Sequence, residues 1–214
     1  MRIGVLLGGS GHYDGTDAAE ATFVLLALEK SGERPVLLAP DIPQVRVVDH
    51  LSGDGIEGES RSVMREAARL SRGSIRALAS YRPEDLEAII IPGGYGPVVN
   101  FSVGFAELGE KRTIVPEVER FLTHFLEERK PIGLVSLGEV PIRTLLQQGM
   151  ELAEPPRDPT SLTLDRERRI VHTQGFTAFN RLDQVRAGIE AMVGEILKLM
   201  SERMREERSD RGRS

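Results

Sequence analysis

The sequence predicts a single α/β domain built on a mostly parallel sheet, and three patterns in its 214 residues carry that expectation. The first is order: RIGVLLGG, then the helical pattern AAEATFVLLALEKSG, then ERPVLLAP, is strand, helix, strand, and strands joined through a helix run parallel. The second is a pair of short, continuous apolar runs, LEAIIIPGGYG and PIGLVS, of the kind that form central strands covered on both faces. The third is punctuation, because glycine or proline closes these runs where a chain must turn at a sheet edge.

The elements follow in order. Gly32 ends the first helical pattern, and ERPVLLAP is the second strand. VMREAARLSRG reads as a short amphipathic helix and SIRALASY as a strand. LEAIIIP is a central strand stopped by Pro92, and IVPEVERFLTHFLEERK is a helix from about Pro116. PIGLVS is the next central strand. AEPPRDPTSL is proline-rich and expected to be a loop, and SLTLDRERRIVHT alternates around a charged turn as a hairpin does. A last helix is expected from Asp183 to about Glu206, with Val185, Ile189, Met192, Ile196 and Met200 at helical spacing for packing. Residues 1–206 are thus read as one domain and 207–214 as a polar, disordered tail.

Composition narrows the function classes. With 33 acidic and 28 basic side chains intermixed and a net charge of −5, the chain offers no extended positive face, so nucleic acid is not an expected partner. No apolar run approaches the roughly 20 residues of a membrane span. The opening MRIGVLLGGSG has glycines where a signal peptide has its cleavage region, so a cytoplasmic protein is expected. The chain has no cysteine, which excludes disulfides, thiolate metal sites and a cysteine nucleophile.

Three corners stand out. In PIGLVSLGEVPIRTLL a strand passes into a helix with Ser136 at the joint. Such a turn either caps the helix or lifts a nucleophile above the sheet beside exposed backbone amides. GGSGHYDG, Gly8 to Gly15, follows the first strand, but its glycines do not fall as a GxGxxG that opens a helix, so nucleotide binding is poorly supported. PGGYG, Pro92 to Gly96, ends another parallel strand, at the sheet edge where open α/β folds bind ligands. Amides of the Gly93–Gly94 turn and of Leu137 would stabilise an oxyanion if they converge.

GGSGHYDGTDAAEA, PQVRVVDHLSG, SVMREAARLSRGSIRAL, IIIPGGYG and KPIGLVSLG occur in this order. The ensemble resembles the isoprenoid-biosynthesis glyoxalase family, also called enhancing lycopene biosynthesis proteins, within the PfpI-like superfamily of class I glutamine-amidotransferase-like folds. The match is close over residues 1–145 and looser over the last helix. It implies a flavodoxin-like three-layer sandwich with a central, mostly parallel sheet and a nucleophile elbow. It further implies that Ser136 occupies the position of the family's cysteine, that Glu20 is the pocket carboxylate on the first helix, and that the Gly94 and Leu137 amides are the oxyanion donors. Relatives are glyoxalases that convert α-oxoaldehydes to hydroxy acids without cofactor or metal, often as homodimers. The departures are Ser10 for a cysteine in the first corner, and Ser136-Leu137-Gly138-Glu139 for the elbow's usual Cys-Ile-Ala-Pro.

A serine changes the chemistry, because an alcohol needs an adjacent base where a thiol ionises near neutrality. Of the four histidines, His12 lies in the first corner and reads either as an exposed loop histidine or as the best-placed polar partner of Ser136; His50 suggests a structural bond, His124 sits on a helix, and His172 falls in the hairpin with no assigned neighbour. Ser10, His12, Gly93 and Asn100 complete the pocket candidates. Three functions stay open: a glyoxalase-like enzyme on a small carbonyl substrate, a non-catalytic binding or interaction module that keeps the pocket, and a serine hydrolase or amidase.

Overall fold

The computed structural model describes residues 2–103, 113–147 and 157–211. The chain runs β1 (Arg2–Leu6), α1 (Ala18–Lys30), β2 (Arg34–Ala39), α2 (Val63–Leu70), β3 (Arg76–Ala77), β4 (Ala88–Ile91), α3 (Gly96–Val99), β5 (Ser102–Val103) and β6 (Thr113–Ile114). It continues through α4 (Pro116–Glu127), β7 (Ile132–Val135), α5 (Val140–Leu145), β8 (Thr163–Asp165), β9 (Ile170–Thr173) and α6 (Leu182–Arg211).

The main sheet has seven strands in the order β3-β2-β1-β4-β7-β9-β8, parallel throughout except for β8, which returns antiparallel on β9 as the expected hairpin. From β1 the chain first winds outward through β2 and β3, then crosses to β4 and winds the other way. The strand order therefore reverses between β1 and β4, and a crevice opens beyond the carboxyl ends of those two strands.

Alternation along the central strands builds a core on each face. Val5, Ile90, Val135 and Val171 pack toward α1 and α6, with Val185, Ile189, Met192 and Ile196 of α6 against them. Leu6, Ile89, Ile91, Ile132 and Leu134 face the other way, against Val118, Phe121, Leu122 and Phe125 of α4. This is the three-layer α/β sandwich expected from the sequence.

Two element readings need correction. The strand expected over SIRALASY is only Arg76–Ala77; the chain then turns through a 3-10 helix, Leu78–Ser80, which buries Leu78 in the α4-side core. An edge position allows this, because β3 pairs with β2 alone and owes no ladder bonds to a second neighbour. The last helix does not stop at Glu206, and the tail expected from 207 is helical through Arg211. Arg203 meets Glu87, just before β4, at 3.8 Å and Glu207 one turn ahead at 2.9 Å, and the second of these pairings favours the added turn. Residues 153–156 of the expected proline-rich loop and residues 212–214 lie outside the described residues.

Candidate functional site

Three corners meet at the crevice. The first lies after β1, the second is Pro92–Gly96 after β4, and the third is the joint after β7, where a 3-10 turn, Ser136–Glu139, leads into α5. Tyr95 N–H donates to the His12 carbonyl and Gly96 N–H to the Gly15 carbonyl, which tie the first two corners together. The third corner approaches the second across Gly93. A Cβ placed on Gly93 would lie 2.5 Å from Glu20 Oε2, 2.8 Å from the Ser136 Cβ and 2.8 Å from the Val135 carbonyl, so only glycine fits between them.

Glu20 is placed by the start of α1. Asp17 is the N-cap, its Oδ1 accepting from Ala19 N–H at 2.9 Å and Glu20 N–H at 3.0 Å, and this sets Glu20 in the first helical turn. A glutamate there is ordinarily solvated, yet Glu20 is fully buried. Its Oε2 accepts from Gly93 N–H at 2.8 Å and its Oε1 from Phe176 N–H at 3.0 Å, so the carboxyl is clamped between the second corner and the turn after β9. Burial pushes its pKa up to about 7, against the lowering effect of the Phe176 amide; the nearby Asp17 charge adds to the rise, while the Gly93 amide and a hydrogen bond from Ser136 oppose it. A carboxyl in that range exchanges its proton at neutral pH.

Ser136 is 5% exposed and takes φ +51, left-handed backbone that a non-glycine residue rarely adopts. The sharp turn is what directs its side chain toward Glu20 rather than along the strand. Gly94, at φ +83, presents an N–H with no backbone acceptor outside a helix or strand among the described residues. Leu137 stands in the first turn of the 3-10 helix, where the leading amides lack partners within the helix. A hydroxyl, a half-ionised carboxyl and the two amide-bearing corners thus share one edge of the sheet.

The structure redistributes the remaining pocket candidates. His12 does not reach Ser136: its side chain is 45% exposed, its Nδ1 is 3.5 Å from Asp17 Oδ2, and its ring lies edge-on to Tyr13 and Tyr95. His12 is thus the exposed loop histidine, held beside the acidic N-cap of α1, and not the partner of Ser136. Asn100 is a structural tie, with Nδ2 donating to the carbonyls of Gly8 and Asp14, both at 2.8 Å, and Oδ1 accepting from Val45 N–H at 3.0 Å. Ser10 lies half-buried in the first corner. His50 is structural as expected, accepting from Tyr13 N–H at 3.2 Å with Nδ1 3.1 Å from the Val48 carbonyl. The sequence reading missed Phe176, whose role is a main-chain amide, and His172, which meets the carbonyl oxygen of Ser136. A main-chain donor leaves no mark in sequence, whereas a lone histidine in a strand of otherwise apolar pattern is a visible signal. Among the described residues, no group of three or more histidine, aspartate or glutamate side chains is placed to hold a metal ion.

No protein-family model matches the chain. The human protein named glutamine amidotransferase-like class 1 domain-containing protein 3, mitochondrial, is 34% identical over 223 aligned positions, which cover 92% of this chain and 83% of that protein. A crystal structure of an isoprenoid biosynthesis protein with an amidotransferase-like domain from Ehrlichia chaffeensis superposes with a TM-score of 0.85 at 29% identity, over 92% of this chain and 99% of that one. A solved DJ-1 structure from Schizosaccharomyces pombe shares the fold alone, with a TM-score of 0.52 at 13% identity over 94% of this chain and 91% of that one. The chain belongs to the glutamine amidotransferase-like class 1 domain family, on the flavodoxin-like fold that DJ-1 and PfpI-like proteins share, and its sequence resemblance to the isoprenoid-biosynthesis proteins of that fold holds.

Proposed function

We propose that this chain binds small α-oxoaldehydes at the Ser136 elbow and converts them slowly to hydroxy acids, with Glu20 moving the proton. The observation that carries the reading is the Glu20 carboxyl, buried between two main-chain donors, poised near pH 7 and set beside Ser136 across Gly93. The aldehyde oxygen would sit on the Gly94 and Leu137 amides. Glu20 takes the hydroxyl proton as Ser136 Oγ adds to the aldehyde carbon, giving a hemiacetal. A proton then passes from that carbon to the neighbouring carbonyl carbon, so the first carbon is oxidised and the second reduced. Water releases the hydroxy acid from the resulting ester, and the net change is the addition of one water. No outside oxidant is needed.

The serine makes slow turnover the expectation. The family resemblance implies a thiol at this position in relatives, and a thiol ionises before substrate arrives, whereas the alcohol depends wholly on Glu20 at the moment of attack. Wild-type protein is expected to form lactate from methylglyoxal at least about tenfold more slowly than a Ser136→Cys variant, and Glu20→Gln to abolish formation in both. Proton NMR of the product reads both rates; equal rates for serine and cysteine would remove the nucleophile from the scheme.

The serine-hydrolase reading is weaker on the same geometry, since no hydrogen bond joins the Ser136 hydroxyl to a histidine among the described residues. The non-catalytic module is favoured by the alcohol itself and predicts saturable methylglyoxal binding with no product in that assay. A homodimer in the cytoplasm belongs to the proposal, and sedimentation of the purified chain tests the first part.

A further inference from the structure

Glu20 reaches the elbow from the α1 side of the sheet. A second side chain reaches it from the opposite side. On β9, Ile170 packs into the α4-side core and Val171 into the α6-side core, so the alternation turns His172 toward α4 and α5, with Leu134 as its register partner on β7. The residue is 7% exposed, and its Nε2 stands 3.2 Å from the carbonyl oxygen of Ser136. A carbonyl only accepts, so Nε2 carries the proton and Nδ1 is the bare nitrogen of a neutral ring. Nδ1 lies 3.7 Å from Glu139 Oε2, and that carboxylate is held by Arg143 Nε at 2.7 Å. A cavity of about 100 Å³ opens beside the ring, lined in part by Glu139, Arg143, Asp165 and Leu134.

We propose that His172 is a positioning residue for the elbow: by donating to the Ser136 carbonyl from behind the sheet, it fixes the left-handed turn that aims the Ser136 side chain at Glu20. The assignment rests on the reading of Ser136 as the reacting residue. Left-handed backbone at a non-glycine residue is strained and persists only where its surroundings over-determine it. Gly93 and the tightly packed Gly138, whose Cβ would collide with the backbone of Ile91, constrain the turn sterically from above and after. His172 supplies the one side-chain hydrogen bond to the Ser136 carbonyl among the described residues. The charged groups facing the ring are Glu139 and Arg143 from the turn and α5, and Asp165 from β8; β7 contributes only Leu134. Burial lowers the pKa of His172 and Arg143 lowers it further, against Glu139 and the bond to Ser136, so the donor is neutral across the neutral range.

The absence of cysteine makes the test clean, because Ser136→Cys introduces the one thiol of the chain. Its alkylation rate with iodoacetamide is followed from pH 5 to 9, alone and combined with His172→Gln or His172→Leu. Glutamine places an N–H where Nε2 stands, and is expected to keep the rate within about twofold of the parent. Leucine fills the space without a donor, and is expected to slow alkylation at pH 7 about fivefold or more and move the inflection to higher pH, as the sulfur leaves the amides that favour thiolate. Equal rates and inflections for the leucine variant, or equal losses for leucine and glutamine, would overturn the assignment. Should the leucine variant not fold, imidazole ¹⁵N spectra of the unaltered chain decide, with His172 identified by its loss in His172→Gln. The Nε2–H tautomer is expected, and an Nδ1–H tautomer overturns the proposal. Turnover is not read in either measurement, so a failed glyoxalase reading and a failed role for His172 give different results.

Discussion

Glu20 carries an ionisation that opposes folding as the pH rises. Its folded pKa of about 7 lies above the ordinary 4.5, so between those values the folded chain holds a proton that the unfolded chain has lost. Stability from this group is fully present below about pH 4.5 and falls until about pH 7, by roughly 3 kcal/mol if nothing relaxes. Glu20→Gln removes the titration but turns an amide N–H₂ toward one of the two backbone donors, at a cost of about 1–2 kcal/mol. Urea unfolding is therefore expected to show the variant less stable than wild type at pH 5, with the gap closing or reversing by pH 8. A gap that does not change with pH would mean that Glu20 holds no proton in the folded state. The same carboxyl limits its neighbour: Gly93→Ala would drive a methyl group against Glu20 Oε2, the Ser136 Cβ and the Val135 carbonyl. About 2–3 kcal/mol of destabilisation is expected from that overpacking, read as a lower urea midpoint at unchanged slope. Ser136 was legible as a residue because a small hydroxyl interrupts a strand-to-helix passage. Glu20 was legible only through the family resemblance, since a glutamate beside the apolar face of a helix looks solvated until the turn after β9 closes over it.

Lys130 shows how one buried cation can hold an element that has little else. It follows α4, is 6% exposed, and its Nζ donates to the carbonyls of Pro83, Glu84 and Leu86 at 3.2, 3.3 and 2.8 Å. Those carbonyls belong to the 3-10 turn Pro83–Asp85 and the residues around it, so the ammonium ties the approach to β4 onto the start of β7. Burial lowers the Lys130 pKa, yet the three acceptors and the Phe125 ring face at 5.6 Å keep the charged form in place. Lys130→Met fills similar space but leaves acceptors unpaired, and about 2 kcal/mol should be lost in urea unfolding at pH 7. No loss would mean that water replaces the ammonium. Element by element, the helices and central strands were legible because their apolar periods are long. β3 was not: SIRALASY has strand composition, but an edge position with one neighbour let Leu78 turn inward instead. The end of α6 was hidden for the opposite reason, since ERSDR has no apolar face and its added turn is favoured by charge pairing through Arg203. Truncation after Glu206 is therefore expected to cost under about 0.5 kcal/mol, whereas a fall of several degrees in Tm would reveal docking that the exposed side chains of residues 207–209 do not show.

At the scale of the molecule, the crevice that the strand reversal opens is bordered by loops far apart in sequence that are tied at one point, and Asn100 is the knot. Its side chain joins Gly8 and Asp14 of the first corner to Val45 of the long connection between β2 and α2, while its own backbone closes α3 by donating to the Gly96 carbonyl. Every polar atom of the amide is used, and the residue is fully buried. The sequence singled out Asn100 as a pocket residue and so found the right neighbourhood, but not the role. A single asparagine carries no pattern, and its partners are main-chain atoms up to 92 residues away in sequence. The knot also separates architecture from chemistry. Asn100→Asp keeps the shape and the acceptor for Val45 N–H, but sets a carboxylate against two carbonyl oxygens with no donor to satisfy them. Removing the donors while adding charge in a buried site should cost about 3 kcal/mol or more. The loss should also be uneven. The sheet and α6 rest on the two apolar cores and keep their hydrogen-exchange protection, while amides of residues 8–16 and 44–56 exchange faster because their shared anchor is gone. If exchange instead rises evenly over the whole chain, the loops and the sheet unfold as one unit, and the crevice is held by the cores rather than by Asn100.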